Sequence, residues 1–293
     1  MKKRLFAILT ALTLCLTMLP TTALAAESYG FFINGTSVTR DNINSLPGVT
    51  PTDSSKQSVI HYYSHDKLLI LCNVTISANS NVATVLNCSN SVERIILRGE
   101  NVIDGTEISR TNSDVAGIFT TGPLQIEGDD YGNNKLTITM PRIYTKQNVC
   151  GISADSAPIM IRSCSLDVLC GGAAYVGTTN PATNAIYAHK SNITIQNASI
   201  RAVIGKDRND DITDMHGGSA IYTYKGTLSI TNSDVTAGAF SNSAIQNSQH
   251  KFTALEGTSV VLTGCALDLK AQATGQDVPA RAIHTWNWVA PSP

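Results

Sequence analysis

Three stretches of this chain align with one another without gaps: GISADSAPIMIRSCSLDV from Gly151, AIYAHKSNITIQNASIRA from Ala185 and AIYTYKGTLSITNSDVTA from Ala220. Their leading isoleucines, Ile152, Ile186 and Ile221, are 34 and 35 residues apart. In each copy an isoleucine follows nine residues later (Ile161, Ile195, Ile230), and an aliphatic residue five beyond that (Leu166, Ile200, Val235). Fixed offsets of this length mark a repeat architecture and constrain the fold more tightly than any local propensity. Weaker copies flank the three. Ile118 stands 34 residues before Ile152, and Ile245, Leu262, Leu267 and Ile283 continue the pattern downstream. Upstream, Leu97 to Val102 and Ile138 to Ile143 repeat the five-residue step, the latter after an inserted stretch, Glu127 to Asn134.

Within each copy the apolar positions alternate, as in Ile193-Thr194-Ile195 and Leu228-Ser229-Ile230. That is the period of a short strand, not of a helix. Polar pairs such as Gln196-Asn197 and Thr231-Asn232 then supply turns. One such unit of short strands cannot bury its apolar side alone, whereas successive copies stacked about 4.8 Å apart enclose a continuous core. The expected fold is therefore all-β: a right-handed parallel β-helix, a solenoid, with an N-terminal β cap over residues 26–81 and repeats over 82–293. A β-sandwich also has many short strands but leaves the matching offsets unexplained. Each inward aliphatic residue contributes roughly 1.5–3 kcal/mol on burial, so a core of this kind needs few large aromatics. Only 6% of the chain is aromatic.

The N-terminus reads as an export signal over residues 1–25. Lys2, Lys3 and Arg4 precede the apolar run Leu5 to Leu19, and Ala23-Leu24-Ala25 offers small residues for cleavage. No later run has the ~20 apolar residues of a membrane helix, so the expected location is extracellular or loosely associated with the cell wall. Charged residues are 15% of the chain and the net charge is −1, which gives no basis for capturing nucleic acid or an anionic membrane. Beyond the signal lie Cys72, Cys88, Cys150, Cys164, Cys170 and Cys265. Disulfides are open to them in an oxidising compartment, but most sit in strand-like runs where a thiol acts as a small buried hydrophobe. No zinc spacing occurs, and His61 with His65 is an isolated pair. At the C-terminus a further repeat opens at Ile283 and stops within ten residues. Trp286, Trp288 and the prolines as a cap, or a fragment of a longer protein, both fit that ending.

Two N-terminal segments carry a family resemblance. They are Tyr29-Gly-Phe-Phe-Ile-Asn-Gly-Thr-Ser-Val-Thr-Arg-Asp-Asn42 and Asp66-Lys-Leu-Leu-Ile-Leu-Cys-Asn-Val-Thr-Ile76. Together with the repeats they resemble the secreted carbohydrate-binding-domain-containing β-helix proteins of gut Firmicutes. In that group a hairpin of the type G-x-x-V-T-x-x-N leads into L-x-L-x-N-x-T-I. The resemblance implies a pectate-lyase-like fold and carbohydrate binding; its motifs are structural and transfer no catalytic residue.

Alternation also sorts the outward side chains. If Ile186 and Ala188 face inward, Tyr187 and His189 face outward, and the next coil sets Tyr222 and Tyr224 beside them. Phe119 and Trp286 take equivalent slots. The resulting aromatic stripe of Tyr187, His189, Tyr222, Tyr224 and Trp286 is the candidate carbohydrate site, because flat rings suit the apolar faces of sugars. Stacking between coils for stability alone is the competing reading. The loop Lys206 to Asp214 holds four carboxylates and an Asn and is a weak Ca²⁺ candidate, because it lacks a recognised calcium-loop spacing. Catalysis by a β-helix lyase or hydrolase would need converging carboxylates. The outward row Asp167, Arg201, Thr236 and Asp268 offers only an ion pair, and the row Arg162, Gln196, Thr231 and Thr263 holds no acid. The expectation is a protein that binds glycan through this aromatic face or through the edge loops Gly171 to Asn184, Gly205 to Ser219 and Thr274 to Arg281, without catalysis or cofactor, with a polysaccharide-cleaving enzyme and a surface adhesin or scaffold as alternatives.

Overall fold

A computed structural model describes residues 27–53, 59–109, 112–129, 132–145, 147–174, 181–207, 209–213, 215, 217–241, 251–273 and 279–285. The expected export signal, Ile245, Trp286 and Trp288 lie outside them. The N-terminal strands are β1 (Ser28–Ile33), β2 (Thr36–Thr39), β3 (Val49–Pro51), β4 (Val59–Tyr63), β5 (Leu68–Cys72) and β6 (Val74–Ser77). The chain then cycles through three sheets in a fixed order. The first sheet receives β7 (Thr84–Ser89), β10 (Val115–Thr120), β13 (Val149–Asp155), β16 (Thr183–His189), β19 (Gly218–Tyr224), β22 (Phe252–Gly257) and β25 (Ala280–Thr285). The second receives β8 (Arg94–Arg98), β11 (Leu124–Gly128), β14 (Ile159–Arg162), β17 (Ile193–Gln196), β20 (Thr227–Thr231) and β23 (Ser259–Thr263). The third receives β9 (Glu100–Asp104), β12 (Lys135–Tyr144), β15 (Ser165–Ala174), β18 (Ser199–Ile204), β21 (Asp234–Ser241) and β24 (Ala266–Ala273). The molecule is an all-β parallel solenoid.

The repeat sets the register. Ile152, Ile186 and Ile221 are direct cross-strand partners, and Leu86, Ile118, Leu255 and Ile283 extend their column in both directions. On the second sheet Ile161, Ile195, Ile230 and Leu262 align, and on the third Leu166, Ile200, Val235 and Leu267. Through the middle coils these columns are almost fully buried and meet in one core. Sharp corners between sheets need left-handed backbone. Ser156, Lys190 and Lys225 supply it between the first and second sheets, with φ of 61°, 53° and 56°. Ser163, Asn197 and Asn232 do so between the second and third. Each of these last three donates its backbone amide to a carbonyl one coil on: Gln196, Thr231 and Thr263.

Four features depart from the sequence reading. Val102 is not the inward residue of its coil: Asn101 lies opposite Leu136 and is buried, while Val102 turns outward. An asparagine can fill an aliphatic slot because its amide is satisfied. It accepts from the Val74 amide at 3.2 Å and donates to the Arg98 carbonyl at 3.2 Å. Ile138 and Ile143 do not span a corner either, because both lie in β12. The true step in that coil runs from Ile126 to Leu136, lengthened by the insertion, whose Asn134 donates to the Asp129 carbonyl. Downstream, Leu255 takes the register position next to Ile221. Parallel pairing already begins at β5 and β6, upstream of Val82. Antiparallel pairs occur at β1–β2, β1–β7, β3–β6 and β4–β5, so an antiparallel strand borders each sheet at its N-terminal edge.

The outward second-sheet row does contain an acid one coil above Arg162. Glu127 is buried between Arg94 and Arg162, each 2.5 Å away, and takes a further bond from Gln125. Burial pushes its carboxyl up, but these three donors reverse that and hold it below the ordinary glutamate value. A depressed folded value stabilises above the unfolded pKa of ~4.3, and the contribution is lost as pH falls through the folded value. Glu127→Gln is therefore expected to be less stable than the parent at pH 7, with the gap closing in acid below about pH 4. Urea titrations across pH check this; a gap independent of pH would contradict it.

Candidate functional site

The first sheet's outer face carries the aromatic stripe. Phe119, Ser153, Tyr187 and Tyr222 are consecutive register partners, followed by Glu256 and His284. Beside them run Asp155, His189 and Tyr224. Ile186 and Ala188 are fully buried, which leaves Tyr187 and His189 on the outside as the alternation predicts. Four of the five sequence candidates, Tyr187, His189, Tyr222 and Tyr224, thus share one surface; Trp286 is not among the described residues.

The rings are arranged as ladders. Tyr187 stacks on Tyr222 with centroids 5.3 Å apart and planes 26° apart, and His189 on Tyr224 at 5.4 Å and 13°. A cation packs against the second ring of each stack: Lys251 Nζ is 5.9 Å from the Tyr222 centroid, and Lys225 Nζ 5.4 Å from that of Tyr224. Lys251 itself pairs with Glu256, which is completely buried, takes a hydrogen bond from the Ser219 hydroxyl and lies 3.3 Å from His284 Nδ1. Tyr222 and Tyr224 therefore direct their faces to protein groups and act as buttresses. Tyr187 and His189 each keep one side toward the preceding coil, where the register places Ser153 and Asp155.

On that side lies a groove of about 670 Å³, lined among others by Phe119, Ser153, Asp155, Tyr187, His189 and Asp114. Asp114 accepts from the Asn148 backbone amide at 3.0 Å and from its side chain at 3.3 Å. Asp155 lies 3.0 Å from His189 Nδ1. That hydrogen bond, with a smaller one from Ser156, holds the Asp155 carboxyl below the usual range. Burial pushes the Tyr187 hydroxyl up to about 12, with Asp155 and Asp114 adding to the effect. The phenol thus stays protonated and available as a donor near two acceptors. Chemically, the groove offers two aromatic rings, Phe119 and Tyr187, one imidazole, two carboxylates and several neutral hydrogen-bonding side chains.

Sequence reasoning missed Asp114, Ser153 and Asp155. The signal was available: a serine interrupts the aromatic column between Phe119 and Tyr187. The other candidate groups are committed elsewhere. Asp167 pairs with Arg201 at 2.9 Å, as its row implies. In the edge loop, Asp210 pairs with Lys206 at 2.8 Å, and Asp207 accepts the backbone amides of Asn209 and Asp211. All six described cysteines are free thiols; four are buried, and burial pushes Cys150 and Cys164 up to about 12. The four buried thiols pack as small hydrophobes. No family model matches the chain, and no curated protein or solved structure does either.

Proposed function

We propose that this protein is a secreted, non-catalytic carbohydrate-binding β-helix whose site is the groove over β10, β13 and β16. The observation that carries the reading is the open side of Tyr187 and His189, set against a lining of carboxylates and amides. Sugar rings present apolar C–H faces and a rim of hydroxyls, and a binding site for them needs both kinds of partner in one concavity. The N-terminal resemblance to secreted carbohydrate-binding β-helix proteins points the same way. A glycan array followed by calorimetry on the best hits tests it. Tyr187→Ala is expected to weaken binding by about tenfold, the ~1.4 kcal/mol that an aromatic stack contributes at its upper end. Thr194→Ala, on the outer face of the second sheet, is expected to change nothing. Equal binding in Tyr187→Ala and the parent would remove the groove as the site.

The presence of Asp114 and Asp155 in one groove favours glycoside hydrolysis as the second reading. Reducing ends released from a polysaccharide panel, and abolished in Asp155→Asn, would replace binding with catalysis as the function.

A further inference from the structure

The outward aromatic column has a gap of one coil. Phe119 and Tyr187 stand on either side of Ser153 in the register. Two strand spacings separate their backbones, roughly 9.6 Å, so a ring midway sits ~4.8 Å from each wall. That distance falls inside the ~4.5–7 Å range of ordinary ring stacking. Tyr222 already occupies the equivalent position on the other side of Tyr187, at 5.3 Å. A ring entering over Ser153 would therefore extend the ladder that the protein builds for itself.

We infer that the groove is a clamp for a single pyranose ring, inserted over Ser153 between Phe119 and Tyr187, and that it recognises the terminal residue of a glycan. The inference rests on the carbohydrate reading and deepens it. The class of ligand follows from the rim. Asp114, Asp155, Asn87, Asn148 and Ser153 all line the groove, a density of acceptors and donors that suits the hydroxyls around a sugar and would leave a phenyl ring's edge unmatched. Asp155, in the lining, is fixed by its bond to His189, whose own ring stacks on Tyr224. Only one coil in the column Phe119, Ser153, Tyr187, Tyr222 bears a small side chain, so the clamp has room for one ring and no second stacking position beside it.

The test uses the full chain, with glucose, galactose, mannose and N-acetylglucosamine and their linear oligomers as probes, followed by calorimetry and saturation-transfer NMR. At least one monosaccharide is expected to bind in a Tyr187-dependent manner, with its oligomers no more than about threefold tighter, or ~0.65 kcal/mol. Ser153→Tyr fills the gap and is expected to abolish binding with no fall in melting temperature, because the added ring continues the ladder. Phe119→Ala removes the opposite wall and is expected to weaken binding by about fivefold, or ~1 kcal/mol. Retained binding in Ser153→Tyr, or oligomers more than about tenfold tighter than the monosaccharide, overturns the clamp while leaving the groove as a carbohydrate site. Absence of Tyr187-dependent binding by any of these sugars overturns both.

Discussion

Gly205→Ala is expected to leave a protein destabilised by more than about 4 kcal/mol, close to the limit of what a single substitution does. Gly205 follows β18 with φ +76°, a conformation that costs an L-residue about 1–2 kcal/mol. A Cβ there would overlap the Phe240 carbonyl oxygen and approach its carbon at 2.7 Å. The backbone cannot step aside. Its amide donates to the Cys170 carbonyl of the preceding coil at 2.9 Å and its carbonyl accepts from the Thr213 amide at 2.8 Å, so the adjacent strand and the loop that follows hold it from both directions. Thermal and urea unfolding measure the effect. A loss below about 1 kcal/mol would show that the corner is looser than this packing implies.

Ile186→Ala is expected to cost about 2–5 kcal/mol. Ile186 is fully buried in the central column, with Ile152 on one side and Ile221 on the other. Deleting its side chain opens a void that both neighbours line and that a stack of coils cannot close by a local shift. Because each coil contacts mainly its two neighbours, the damage is local. Amide hydrogen exchange is expected to accelerate most in β13, β16 and β19 and least in β8 and β9. A uniform acceleration along the solenoid would mean that the coils do not behave as nearest-neighbour units.

The repeat made the middle coils legible because three copies align without gaps and carry isoleucine at the same inward slots. Outward positions followed from alternation, so Tyr187, His189, Tyr222 and Tyr224 could be placed on one face from residues alone. The outer coils resisted for physical reasons. Asn101 fills a core slot with a satisfied amide, and a pattern of apolar letters slides past it onto Val102. The insertion of Glu127 to Asn134 doubles the step from Ile126 to Leu136, and the usual five-residue spacing recurs instead between Ile138 and Ile143, two isoleucines of one strand. The groove was less visible than the stripe. Asp114 and Asp155 are far apart in sequence and occupy different columns, and only the pairing of β10 with β13 brings them to one concavity. Ring orientation was also beyond reach: alternation says that Tyr222 points outward, but not that its face is turned onto Tyr187.

Amide shift mapping by NMR during titration with the strongest array ligand locates the bound sugar on the solenoid. Perturbations are expected to concentrate at Ser153, Asp155, Tyr187 and His189, with Phe119 and Asp114 next. Perturbations confined to the edge loop around Asp207 to Asp211, or to the outer faces of the second and third sheets, would contradict that placement.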